Sequence, residues 1–147
     1  SMSNLDPNRR PSNAGRYLFL LLLGLVLGAI GTVMALRAIE ARKDQFPEAL
    51  MHVQQWHMGQ LKANMEQNRC NATDVLPHLQ ALRMTANDLD AAFPGLRDDQ
   101  RFKTASAGMR AAMDKVVANP PLTCQGVGTA MGEIGETCKA CHQDFRN

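Results

Sequence analysis

The sequence predicts an all-α protein: an antiparallel up-down-up-down four-helix bundle preceded by one N-terminal transmembrane helix. Three observations carry this prediction. The 147 residues include only five Phe, one Tyr and one Trp, whereas Ala, Leu and Met are plentiful, which favours helices over a β-sandwich. Apolar residues recur at steps of three and four over the last hundred residues, without the period of two that is typical of a strand. A long uncharged apolar run lies near the N-terminus.

The N-terminal third predicts a membrane anchor. Residues 1–16 are polar and rich in Arg and Pro, so they are expected to form a disordered cytoplasmic lead. The run 17–36 carries no charge and, at about 1.5 Å per residue, spans the roughly 30 Å of a bilayer's hydrocarbon layer. With Arg37 it forms the predicted transmembrane anchor, residues 17–37. A cleaved signal peptide is the alternative, although its apolar region is usually only about 7–15 residues long.

Residues 38–147 are expected to form the bundle domain. A first helix is predicted from about Asp44 to Asn68, with Pro47 tolerable in its opening turn. Apolar stripes then predict a second helix over 75–93, a third over 102–116 and a fourth that Thr123 caps. Four such helices joined by short loops bury their apolar faces most simply as an antiparallel bundle.

Composition and missing motifs exclude several function classes. The net charge is only +2, and no basic stripe interleaved with aromatic residues is present, so no nucleic-acid partner is expected. The sequence lacks a phosphate-binding Gly-Lys-Ser/Thr loop, a His-Glu-x-x-His motif and a Gly-x-Ser-x-Gly motif. Neither paired carboxylates nor a nucleophile–base pair can be identified, and the protein is not expected to be an enzyme.

The C-terminus carries the most specific motif, Cys138-Lys-Ala-Cys141-His142. Cys-x-x-Cys-His is the attachment signature of c-type haem. On a helix the two cysteines lie on one face, where each sulfur can form a thioether with a haem vinyl group. His142 shares that side and can offer an imidazole nitrogen to the iron. The alternatives fit less well, because a thioredoxin-type motif belongs in a βαβ setting and structural zinc needs a fourth ligand.

Four helices closed by Cys-x-x-Cys-His-x-x-Phe-Arg resemble the class II cytochromes c, meaning cytochrome c-prime and its low-spin, methionine-ligated relatives. The resemblance is specific over residues 138–146 and diffuse over the rest of 44–147. It implies one covalent haem c among the helices, with His142 as the proximal iron ligand. It also implies that Arg146 lies near a haem propionate, and a guanidinium suits a carboxylate.

Cys70 and Cys124 remain outside this motif. Cys70 closes the first predicted helix and Cys124 opens the fourth, so an up-down-up-down bundle places both at the same end on adjoining helices. Haem c proteins are completed in an oxidising compartment, where disulfides persist. We expect a Cys70–Cys124 disulfide, with two free buried thiols as the alternative.

The sixth iron position decides the function. In the low-spin branch of the family a methionine of the first helix fills it, after an Arg-Gln-x-x-Met stretch. Gln55 and Met58 match this pattern, while Gln54 replaces the arginine. Helical angles place Met58 on the inward face, His57 at its edge and His52 on the far side. Met58 is therefore the candidate distal ligand, with core packing and a vacant sixth site as alternatives.

Three functions remain open. The first is a one-electron carrier with a His/Met-ligated haem, anchored in the inner membrane of a Gram-negative bacterium with its haem domain in the periplasm. Its partners would be redox proteins of a respiratory or photosynthetic chain. The second is a five-coordinate cytochrome c-prime that binds nitric oxide or carbon monoxide. The third is an accessory haem subunit of a larger complex, held through the small residues Gly24 and Gly28. The resemblance also allows a homodimer, as in many relatives, and the sequence leaves the oligomeric state open.

Overall fold

A computed structural model describes residues 11–146. The chain divides into two compact units, and the boundary between them along the sequence lies between Asp44 and Gln45. Helix α1, Ala14–Arg42, forms most of the described part of the first unit. It begins before the predicted anchor and extends beyond it, so residues 14–16 of the predicted disordered lead are helical. The remainder of that lead, up to residue 10, lies outside the described residues.

Helix α1 is long and apolar enough to cross a membrane, although a signal sequence near an N-terminus meets the same criteria. None of its side chains is buried within the protein. A helix that is apolar all round is usually buried in a protein core or in a membrane.

The second unit consists of helices joined by short connections, as the sequence predicts. They are α2 (Phe46–Glu66), α3 (Ala72–Ala86), the single-turn α4 (Leu89–Ala92), a 3₁₀ turn (Pro94–Leu96), α5 (Gln100–Ala118) and α6 (Cys124–Phe145). Helix α2 packs against α3 and α6, and α5 packs against the same two helices. The four long helices therefore enclose one core, which is the predicted four-helix bundle.

Local chemistry sets several helix boundaries. Pro47 lies in the first turn of α2, where its missing N–H costs nothing. The Thr123 hydroxyl accepts a hydrogen bond from the Gly126 N–H at 3.0 Å, as the sequence predicts for the cap of the last helix. The Asp99 carboxylate caps α5 in the same way, accepting from the Arg101 N–H at 2.9 Å.

The prediction of one continuous second helix over 75–93 is wrong. Helix α3 ends at Ala86, and the chain turns through Asn87 and Asp88 before α4 begins. Leu89 and Ala92 remain fully buried beyond the turn. The apolar spacing therefore continues across a break in the backbone, which is why periodicity did not reveal it.

The end of the bundle where α2 leads to α3 and α5 leads to α6 is densely packed. Leu61, Val75 and Val127 are almost completely buried there. Cys70 and Cys124 meet at this end with their sulfurs in bonding contact and their Cα atoms 5.2 Å apart. This separation lies in the range that a disulfide requires.

Candidate functional site

The opposite end of the bundle holds a cavity of about 710 Å³. Its volume falls within the roughly 300–1,000 Å³ that is usual for cofactor and small-molecule sites. The lining is mainly apolar and comes from α2, α3, α4, the 3₁₀ turn, α5 and α6. Its large apolar members are Met51, Met58, Leu82, Leu89, Phe93, Leu96, Phe102, Met109, Met113 and Phe145. The space lies in the core of the bundle, where side chains would otherwise fill it.

The residues of the Cys-x-x-Cys-His motif all line this cavity. Cys138, Cys141 and His142 follow one another on α6 with the spacing of a single helical face. The two cysteines are partly buried and form no disulfide. Two sulfurs and one imidazole therefore border the same space, as the sequence predicts.

Burial affects the chemistry of the two thiols. It raises the pKa of Cys138, and the neighbouring Cys141 raises it further. It also raises the pKa of Cys141, with an added contribution from the negative charge of Asp144. Both groups are consequently held as thiols at neutral pH, each with its hydrogen on sulfur.

The end of α6 is fixed by aromatic contacts. The ring of Phe145 meets that of Phe102 edge to face, with the centroids 5.6 Å apart, and Phe102 in turn contacts Phe93 at 5.9 Å. The guanidinium of Arg101 lies 5.4 Å from the centroid of the Phe145 ring. These contacts hold the last turn of α6 against the bundle, and Arg146, which follows it, lines the cavity.

Helix α2 forms another wall of the cavity. Met58 is half-buried and packs against the core, and both it and Met51 line the cavity. Gln54, between them, is a buried polar residue at 6% exposure. Its amide nitrogen donates to the hydroxyl of Thr85 at 3.5 Å.

The position of His52 differs from the one that the sequence predicts. His52 lines the cavity, although helical angles place it on the far side of α2, and its Nε2 lies 3.5 Å from a carboxylate oxygen of Glu48. Both side chains are largely exposed. His52 and Glu48 lie in the first two turns of α2, at the end of the bundle that holds the cavity. An angle measured around one helix cannot reveal this.

The donor set fits a covalently held haem. The space is mainly apolar, two thiols and an imidazole line it from α6, methionine side chains line it from α2 and α5, and a guanidinium lies beside it. Comparison with known proteins identifies the family. The family model described as Cytochrome C' matches residues 37–146. The chain belongs to the cytochrome c-prime family, the class II cytochromes c. Membership of this family implies haem c binding.

Two relatives share shorter segments with the chain. A cytochrome c-556 of Agrobacterium tumefaciens is 40% identical over 57 residues, which are 38% of this chain and 47% of the relative. A cytochrome c-556 of Agrobacterium fabrum is 45% identical over 49 residues, 33% of this chain and 32% of the relative. The matches thus span less than half the length of either relative. No solved structure matches the chain at a significant level.

Proposed function

We propose that this protein is a one-electron carrier whose single haem c occupies the cavity described above. Cys138 and Cys141 would hold the haem through two thioethers, and His142 would be the proximal iron ligand. Haem, when bound, supplies an iron that accepts and releases one electron. The observation that supports this proposal most strongly is that all three residues border one apolar cavity of suitable size.

The remaining residues of the site have proposed roles in binding and orientation. The guanidinium of Arg146 would pair with a haem propionate, for which a planar cation is well suited. The rings of Phe93, Phe102 and Phe145 would exclude water from the apolar part of the group. A dry, apolar surrounding keeps reorganisation small when the charge on the iron changes, which favours electron transfer.

Met58 is the proposed distal ligand. It lines, from α2, the same cavity that Cys138, Cys141 and His142 line from α6. Met51, about two turns earlier on the same helix, also lines the cavity and provides a matched control. A His/Met pair leaves no coordination site open and raises the potential of the haem.

The experiment compares Met58→Ala with Met51→Ala. The wild-type protein and Met51→Ala should give low-spin spectra with the weak red band of methionine–iron ligation, and Met58→Ala should become high-spin. A wild-type protein that is five-coordinate would contradict Met58 ligation, while haem attachment by itself would still be consistent with the rest of the proposal.

A second candidate is a gas-binding cytochrome c-prime. The apolar character of the α2 and α5 walls favours it, because Met51, Met109 and Met113 could surround a vacant sixth site. Carbon monoxide added to the reduced protein distinguishes the two functions. Rapid and tight binding would indicate a vacant site, whereas absence of binding would indicate a filled one.

We further propose that α1 anchors the protein in the inner membrane, with the bundle in the periplasm. The length, apolar composition and exposed surface of this helix support an anchor. A Cys70–Cys124 disulfide would form and persist in an oxidising compartment such as the periplasm, and the contact between these two sulfurs supports the bond. Tethering would raise the effective concentration of the carrier near membrane-bound redox partners. Carbonate extraction of membranes, which releases proteins that are not inserted, tests the anchor.

A further inference from the structure

Two histidines meet on the surface of the bundle, outside the haem cavity. His57 of α2 and His78 of α3 approach with their Nδ1 atoms 2.9 Å apart, and their ring centroids are separated by 5.2 Å. Both residues are half-buried, and neither lines the cavity. The pair therefore has no part in the proposed haem chemistry.

Trp56, the single tryptophan of the chain, lies beside both rings. Its ring meets those of His57 and His78 at steep angles, with centroid distances of 4.9 and 5.8 Å. An indole has no lone pair to offer a metal ion, so it flanks the two imidazoles without competing with them. It is 56% exposed, which leaves this surface of the protein open to solvent.

We propose that His57 and His78 form a binding site for a divalent first-row transition-metal ion, with cupric ion bound most tightly. Imidazole nitrogens bind such ions at about 2.0–2.1 Å. Two nitrogens 2.9 Å apart then subtend an angle of about 90° at the metal. This is the angle between neighbouring positions of a square-planar site, the geometry that Cu²⁺ and Ni²⁺ prefer.

The metal would replace a hydrogen bond that already aligns the two rings. In the metal-free pair, one Nδ1–H donates to the other Nδ1. With a metal bound between them, each ring carries its hydrogen on Nε2 and offers the Nδ1 lone pair. No net proton is gained or lost by two neutral rings in this exchange, and little movement of either helix is required.

Water would complete the coordination. Among residues 11–146, no three His, Cys, Asp or Glu side chains gather closely enough to hold a metal ion. Two imidazoles and two waters form a site that follows the Irving–Williams order, in which Cu²⁺ exceeds both Ni²⁺ and Zn²⁺. A structural zinc site, which requires four protein ligands, is not expected here.

The test is a titration of the purified haem-loaded protein with cupric sulfate in a non-coordinating buffer. Electron paramagnetic resonance counts the nitrogens on copper, and calorimetry gives the affinity and stoichiometry. The wild-type protein should bind one Cu²⁺ with two nitrogens. His57→Gln and His78→Gln should each weaken binding by about 100-fold or more, because a chelating pair becomes a single ligand. His52→Gln, which removes a histidine elsewhere on α2, should leave binding unchanged.

Several results would overturn this proposal. They are a wild-type spectrum with fewer than two copper-bound nitrogens, equal affinity in His57→Gln and the wild type, or loss of binding in His52→Gln alone. The first requires no variant, so it holds even if a substitution impairs folding. The haem spectrum, recorded in parallel, reports on the proposed function separately from the copper site.

Discussion

The two ends of the bundle differ in how completely side chains fill the core. We call them the disulfide end, where Cys70 meets Cys124, and the cavity end. At the disulfide end, Leu61 and Val127 are fully buried, and a methyl group placed on Gly128 would lie only 3.0 Å from the Cε of Met65. At the cavity end, helices of the same kind leave about 710 Å³ open. Native cores rarely contain such space. Side chains alone fill the core at the disulfide end, whereas the other end leaves a space of the size that cofactor sites have.

The largest expected effect on stability comes from removing the Cys70–Cys124 cross-link. A Cys70→Ser/Cys124→Ser variant should lose about 4 kcal/mol of unfolding free energy, because a cross-link between residues 54 apart in sequence restricts the unfolded chain. Urea unfolding of the detergent-solubilised wild type and variant measures the difference. Thiol reductant should destabilise the wild type and leave the variant unchanged. Equal stability of the two proteins would show that Cys70 and Cys124 are not bonded.

A matched pair of core leucines compares the two ends directly. Leu79 and Leu82 lie on α3 and are equally buried at 1% exposure, but only Leu82 lines the cavity. In the haem-free protein, Leu79→Ala should cost about 3 kcal/mol and Leu82→Ala about 2 kcal/mol, since fewer contacts are lost beside an open space. Haem loading should increase the cost of Leu82→Ala alone. Equal costs in both states would mean that haem does not fill this cavity.

The smallest effect concerns the helix cap at the cavity end. The hydrogen bonds from the Arg101 side chain and backbone hold the pKa of Asp99 below its ordinary value. Its contribution to stability should therefore be complete above the pKa of an unfolded aspartate and should be lost as the pH falls through the lower folded value. Carbon-detected NMR should give a titration midpoint for Asp99 below that of an ordinary aspartate. Removal of the Arg101 side chain in Arg101→Ala should raise it, and an unchanged midpoint would contradict the assigned cause.

Much of the fold could be predicted from the sequence, because each helix carries a regular apolar stripe. The cap at Thr123 and the meeting of Cys70 with Cys124 followed from local chemistry and bundle topology. The break after Ala86 could not be predicted, since Leu89 and Ala92 keep the same apolar spacing beyond it. Periodicity records which side chains are buried and does not record whether the backbone between them is continuous.

The site could be predicted where its residues are close in sequence. Cys138, Cys141 and His142 lie within five positions, so their shared face follows from helical geometry alone. His52 lines the cavity, and His57 lies beside His78. Both positions depend on how neighbouring helices are arranged in the bundle. No single stripe contains that information, and the tertiary structure was needed to show it.

The mass of the purified protein shows whether one haem is covalently attached through Cys138 and Cys141. Extraction with acidified acetone removes haem that is not covalently bound. After this treatment, the wild-type protein should have the mass of the polypeptide plus one haem. Cys138→Ser/Cys141→Ser should give the mass of its polypeptide alone. A wild-type protein that also has only the mass of its amino acids would show that no haem is covalently attached.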